Sequence, residues 1–131
     1  MANLLSKLIG GPFFKSKKNF TIFDFQKEEE QLLLRSQNGN KNVDIIFHGV
    51  QQIQLPVSFS GLSIRIADAN KVKLPYTKNE HSYNNTLFEI ISSGEKFYLL
   101  AKFCKIYEND FPFNESSQNG ARGKEIASSD N

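Results

Sequence analysis

Two histidines are the side chains in this 131-residue sequence best suited to acid–base chemistry near neutral pH. His48 lies in the apolar run "NVDIIFHGV", four residues after Asp44, and His81 lies in "KNEHSYNN", two residues before Tyr83. On a strand, Asp44 and His48 would point to the same side but lie about 13 Å apart, so they cannot pair directly as acid and base. A catalytic site at either histidine would therefore need a carboxylate from another strand. The simpler prediction is a partly exposed strand residue for His48 and a surface loop for His81.

The other reactive residue types form no recognisable site. Cys104 is the single cysteine, so the chain has no internal disulfide. No cysteine pair, HExxH, GxSxG or glycine-rich phosphate loop occurs, and we expect neither a metal nor a cofactor. Within "LLAKFCKIY", Cys104 is predicted to be a buried apolar residue. Lys102 and Lys105 flank it and would favour its thiolate form. These two lysines are therefore candidates for binding a ligand or for making Cys104 reactive.

The charge distribution argues against a nucleic-acid partner. The formal net charge is only +2, although Lys7, Lys15, Lys17 and Lys18 precede the first acid of the chain. The run "KFYLLAKFCKIYE" interleaves lysines with aromatic residues, but its Leu, Ala and Cys suit a core strand.

The apolar N-terminus is too short to span a bilayer and lacks the basic start of a signal peptide. We therefore expect a cytoplasmic protein without a membrane span.

The elements that must position these residues are mostly strands. Asn38-Gly39 is a strong turn signal and predicts a hairpin of "QLLLRSQ" against "NVDIIFHGV". In the latter, Val43, Ile45 and Phe47 alternate with polar or outward positions and should face the core. Beyond Gly61 the apolar residues switch to even positions, which predicts a β-bulge or tight turn at this glycine.

The last apolar segment is open to two interpretations. Residues 86–91 and 96–108 flank the turn sequence "SSGE" and favour a second hairpin. The spacing of apolar residues within 96–107 also fits a helix, so periodicity by itself does not distinguish a strand from a helix here. The phenylalanine and tyrosine content favours strand.

The two ends of the chain differ from its middle. "ANLLSKLIGG" places four apolar residues on one side of a short helix and ends in two glycines, which predicts a docked amphipathic N-terminal helix. From residue 114 onward small and polar residues dominate, and a disordered tail over 114–131 is predicted. Residues 1–113 should form a single β-rich domain.

The sequence thus predicts a mainly β fold, a small antiparallel sandwich or partly open barrel of six or seven strands with a short N-terminal helix. The strands show a clear alternation of apolar residues, and no group of catalytic residues is recognisable. This combination favours a non-enzymatic binding or protein-interaction module that binds a protein partner or self-associates. Its abundance of Asn, Lys and Phe resembles that of small bacterial accessory proteins. One alternative is a small-molecule carrier with a pocket lined by Phe and Tyr. Another is a hydrolase-type or isomerase-type enzyme using His48 or His81.

Overall fold

The fold is mainly β, as the alternation of apolar residues predicted. The computed structural model describes residues 11–36, 40–68, 85–118 and 122–129, and these contain nine strands and no helix. The strands are β1 Pro12–Gln26, β2 Gln31–Ser36, β3 Asn42–His48, β4 Gln52–Gln54, β5 Ser58–Ile66, β6 Thr86–Ser92, β7 Glu95–Ala101, β8 Phe103–Asn109 and β9 Lys124–Ser128. The predicted N-terminal helix lies outside the described residues.

All nine strands belong to one antiparallel sheet with the order β4-β7-β6-β5-β1-β2-β3-β8-β9. Three residues, with a bend at Gly49, separate β3 from β4, and only Lys102, also at a bend, separates β7 from β8. Backbone hydrogen bonds carry the pairing across both bends, from Lys102 N–H to His48 O and from Gln51 N–H to Leu100 O, each 2.8 Å long. The sheet must therefore curl. β4 lies at one end of the strand order and β3 lies near the opposite end, yet the two strands are close neighbours along the chain. The sequence predicted a sandwich or partly open barrel of six or seven strands; the observed architecture is one curled sheet of nine.

The core lies on the inner side of this curled sheet. Val43, Ile45 and Phe47 of β3 are buried in it, which confirms the predicted inward face of that strand. Phe88 of β6 crosses the interior to make edge-to-face contacts with Phe47 and with Phe13, at ring centroid distances of 5.4 and 6.1 Å. Side chains from β1, β2, β5, β7 and β8 complete the same cluster. We call the opposite side of the sheet the outer face.

The bulge predicted at Gly61 is present. Phe59 and Leu62 are both buried although their positions differ in parity, because Gly61 between them lies opposite two residues of β1, Lys17 and Lys18. Gly61 has a φ of +71°, a conformation that glycine adopts without strain. The irregular pairing, with Gly61 at positive φ, changes the phase of β5, so that Leu62 and the apolar positions after it point inward.

Both predicted hairpins pair as antiparallel strands. β2 and β3 pair with Leu34 opposite Ile45, and their turn residues 37–39 lie outside the described residues. β6 and β7 pair up to Ser92 and Glu95, and the turn residues Ser93 and Gly94 both have positive φ, as in the type I′ turns that suit strand twist. Residues 96–107 therefore belong to two strands, β7 and β8, that meet at Lys102, and the helical interpretation of this segment was wrong.

The end of the chain differs from the predicted disordered tail. Lys124–Ser128 forms β9, which pairs with β8. The side chains of this segment offer little to bury, as its composition indicated, but its backbone extends the sheet by hydrogen bonding to a neighbouring strand. Amino-acid composition indicates how much side-chain surface a segment can bury, but it does not indicate whether the backbone will pair with another strand. The strand was missed for this reason.

Gly123, which precedes β9, is expected to be essential for placing that strand. Its φ is +104°, and a Cβ there would collide with the carbonyl oxygen of Glu108 on β8. We expect Gly123→Ala to destabilise the fold by about 1–3 kcal/mol and to accelerate hydrogen exchange of the β9 amides. Gly94→Ala is a comparison with positive φ but with open space around the Cβ. Equal exchange of β9 amides in the two variants would contradict the proposed clash.

Candidate functional site

Asp44 is a buried structural residue and does not lie in an exposed binding site. Its side chain and that of Arg35 on β2 are both fully buried. The guanidinium donates two hydrogen bonds to the carboxylate, from Nε to Oδ1 at 2.7 Å and from Nη2 to Oδ2 at 2.9 Å. This bidentate geometry is the strongest arrangement available to such a pair.

Further donors surround this carboxylate. Asn109 Nδ2 and Ser117 Oγ donate to Asp44 Oδ2 at 2.8 and 2.5 Å. Arg35 in turn donates through Nη1 to the carbonyl oxygens of Phe113 and Glu115, at 2.7 and 2.6 Å. The pair therefore attaches the segment that follows β8 to the outer face of β2 and β3. With four hydrogen bonds accepted, the Asp44 carboxylate is poorly placed to act as a general base.

The other predicted candidates do not form a common site in the described structure. The half-buried His48 stacks on Phe103 of β8, with ring centroids 4.4 Å apart and planes 12° from parallel. Lys105 forms an ion pair with Glu125 of β9 at 3.4 Å, and the Lys102 side chain passes over Gly49. Cys104 is buried in the core. His81 and Tyr83 lie outside the described residues.

A second polar cluster crosses the outer face of β5, β6 and β7. Glu89 of β6 is almost fully buried and lies between Arg65 of β5 and Tyr98 of β7. Arg65 Nε donates to Glu89 Oε1 at 2.6 Å, and the Tyr98 hydroxyl donates to Glu89 Oε2 at 3.0 Å. Burial alone would raise the pKa of Glu89, but these two hydrogen bonds and the charge of Arg65 lower it below its ordinary value.

The lowered pKa makes Glu89 a source of pH-dependent stability. A carboxyl group whose pKa is lower in the folded state stabilises the fold above its unfolded value, ordinarily 4.5, and this contribution is lost as pH falls through the folded-state pKa. We expect Glu89→Gln to be less stable at neutral pH and to lose less further stability on acidification than the unmodified protein. Urea denaturation at several acidic pH values measures both effects. Parallel pH profiles for the two proteins would contradict this assignment.

A groove lies next to this cluster on the same part of the sheet. Its walls come from residues 15–17 of β1, 61–63 of β5, and 91–93 at the end of β6 and the start of the turn that follows, and its volume is about 470 Å³. The β5–β6 ladder ends at the pair Ser63 and Ile91, so the two strands separate there and the groove opens. The Ser92 hydroxyl spans the gap by donating to Gly61 O at 2.6 Å. We call this feature the lysine–serine groove.

The surroundings of the groove carry mainly positive charge. Strand register places Lys15 opposite Ser63, Ser63 opposite Ile91 and Ile91 opposite Lys96 in one row across the sheet. Lys17 adds a further ammonium group to the lining. Within the described ranges, no carboxylate forms an ion pair with Lys15 or Lys17. The two ammonium groups are therefore available to an anion from outside the chain.

Sequence reasoning noted these lysines but did not recognise the groove. Lys15 and Lys17 were noted only as members of a group of lysines that precedes the first acid, and Ser63 was not singled out. The signals that could have indicated the site were the bulge at Gly61 and the "SSGE" turn. They are more than thirty residues apart in the chain, and only the pairing of β5 with both β1 and β6 brings them together.

Comparisons with known proteins do not identify a relative. No family model matches the chain, and neither a curated protein nor a solved structure is significantly similar to it. In the described part of the chain, no group of three or more His, Cys, Asp or Glu side chains is placed to hold a metal ion. The same residues include no helix that is long and apolar enough to cross a membrane.

Proposed function

We propose that this protein is a non-enzymatic binding protein whose binding surface is the outer face of β1, β5, β6 and β7. The observation that carries the proposal is the lysine–serine groove, in which Lys15 and Lys17 stand beside serine hydroxyls. Ammonium and hydroxyl groups are both hydrogen-bond donors, and together they suit a negatively charged partner. The cytoplasmic location remains a prediction.

The arrangement of the acids supports binding over catalysis. The Asp44 carboxylate is engaged by Arg35, Asn109 and Ser117, and the Glu89 carboxylate is engaged by Arg65 and Tyr98. Each of these carboxylates stabilises neighbouring segments in its present position. A general base needs instead to reach a substrate proton in a cleft. The enzyme alternative using His48 or His81 gains no specific support from these contacts.

The carrier alternative predicted a pocket lined by phenylalanine and tyrosine. In the described core, Phe47, Phe59 and Phe88 are buried and contact other aromatic rings. The lysine–serine groove has no aromatic residue in its lining. A ligand-binding role therefore finds its best support at the groove on the sheet surface.

The proposal is tested by titrating the isotope-labelled full chain with three anionic probes: inorganic phosphate, hexyl phosphate and a hexaglutamate peptide. We expect saturable changes in the amide resonances of Gly61, Ser63 and Ser93 with at least one probe. Lys15→Glu combined with Lys17→Glu should weaken that binding about tenfold or more, because two charge-assisted contacts are replaced by repulsion.

A matched control makes the same change of charge elsewhere. Lys27 and Lys41 are exposed residues beyond the groove, before β2 and before β3, and their replacement by glutamate should leave the affinity within about twofold. Equal weakening by both double variants would show a general charge effect and contradict a defined site. Absence of saturable change with all three probes would also contradict the proposal.

A further inference from the structure

The groove combines its positive charges with an apolar surface. Leu62 of β5 is buried and Ile91 of β6 is half-buried, and both line the groove between the lysines and the β6–β7 turn. The Leu62 side chain belongs to the core on the inner side of the sheet. Ile91 is the register partner of Ser63, where the β5–β6 ladder ends, and it stays partly exposed. A ligand seated in the groove would contact apolar and cationic groups together.

The size of the groove suits a small molecule. Its volume of about 470 Å³ falls within the range of roughly 300–1,000 Å³ that is usual for small-molecule sites. Such sites are mainly apolar with a few polar groups that fix the orientation of the ligand. The groove combines the apolar side chain of Ile91 with polar groups from two lysines and four serines.

The hydroxyl groups indicate where an anionic group would lie. Ser16 Oγ accepts a hydrogen bond from Lys18 N–H at 3.1 Å, so its own proton remains available for donation. Ser63 is the register partner of Lys15 and adds another hydroxyl beside that ammonium group. Glu95 is the register partner of Ser92 but does not line the groove. The donors thus concentrate on the β1 side of the groove and the apolar surface extends towards β6.

We propose that the ligand is a small organic anion in which one phosphate or carboxylate group is attached to a short apolar body. This inference rests on the proposed binding function and narrows it. The anionic group lies against Lys15, Lys17 and the serine hydroxyls, and the apolar body lies against Ile91 and the methylene groups of the lysine side chains. Charge alone then gives weak binding, and the apolar contacts supply the additional affinity.

The test compares hexyl phosphate, inorganic phosphate and hexanol by calorimetry and by amide resonances of the full chain. Hexyl phosphate is expected to bind at least about tenfold more tightly than inorganic phosphate, because several methylene groups leave water. It should also bind at least about tenfold more tightly than hexanol, which lacks the charge. Hexanoate is expected to perturb the same amides, and its failure to bind would restrict the ligand to phosphates.

Two variants separate the apolar and ionic contributions. Ile91→Ser should reduce the preference for hexyl phosphate over inorganic phosphate by several-fold. Lys15→Gln combined with Lys17→Gln should weaken both anions and leave their ratio nearly unchanged. If Ile91→Ser does not fold, the comparison of the three probes with the unmodified protein still decides the proposal.

The possible failures are distinguishable. Equal affinities for hexyl phosphate and inorganic phosphate would overturn the amphiphilic ligand. Binding of hexaglutamate at the groove without binding of hexyl phosphate would also overturn it and would leave the proposed binding function intact. Failure of every anion to bind would overturn both.

Discussion

Replacement of Asp44 by alanine is expected to lower the free energy of unfolding by about 3–5 kcal/mol. The substitution leaves the fully buried guanidinium of Arg35 without its bidentate partner and removes the acceptor for Asn109 and Ser117. An uncompensated buried charge is more destabilising than the lost pair was stabilising, because the guanidinium cannot recover its hydration while it stays buried. Urea denaturation at neutral pH, followed by circular dichroism, measures the effect.

The control for this prediction is an ion pair at the surface. Lys41 and Glu108 approach within 3.9 Å, but their side chains are 64 % and 40 % exposed. Lys41→Ala should therefore change the free energy of unfolding by less than about 1 kcal/mol. If Asp44→Ala behaved like Lys41→Ala, the buried cluster could not be what holds the segment after β8 on the sheet.

Phe88→Ala is expected to be similarly destabilising, by about 3–5 kcal/mol, for a different reason. The Phe88 side chain is fully buried and contacts the rings of Phe13 and Phe47 from two other strands of the curled sheet. Its removal leaves a cavity that these strands cannot fill without disturbing their pairing. Thermal and urea denaturation both report the change.

An exposed apolar residue provides the comparison for Phe88. Val57 is 76 % exposed, and Val57→Ala should change the free energy of unfolding by no more than about 0.5 kcal/mol. A small effect of Phe88→Ala would mean that the interior can collapse around the missing ring, contrary to a tightly packed core.

The identity of the strands and of the core was largely predictable. The alternation of Val43, Ile45 and Phe47, the "SSGE" turn sequence and the phase change at Gly61 all correspond to features of the structure. Each of these signals is local, because strand geometry repeats every two residues and turns depend on a few residues with special backbone preferences. The ambiguity over residues 96–107 arose because a continuous apolar run satisfies both periods.

The polar clusters were not predictable in the same way. Arg35 and Asp44 face each other because β2 and β3 pair in a particular register, and nothing in either local sequence distinguishes them from exposed charges. Likewise, Arg65, Glu89 and Tyr98 come from three strands and meet only in the assembled sheet. For the same reason, Asp44 was predicted to be a surface candidate and proved to be buried.

The amino-acid sequence by itself determined that this protein is a β structure, which residues of β3 point inward and which segments pair in two of its hairpins, because these properties depend on neighbours along the chain. The tertiary structure alone decided that β9 joins the sheet, that Arg35 and Asp44 are buried together and that Lys15, Ser63 and Ile91 border one groove. These features depend on strand order and register, which are set by the free energy of the whole packed sheet and not by any segment of it.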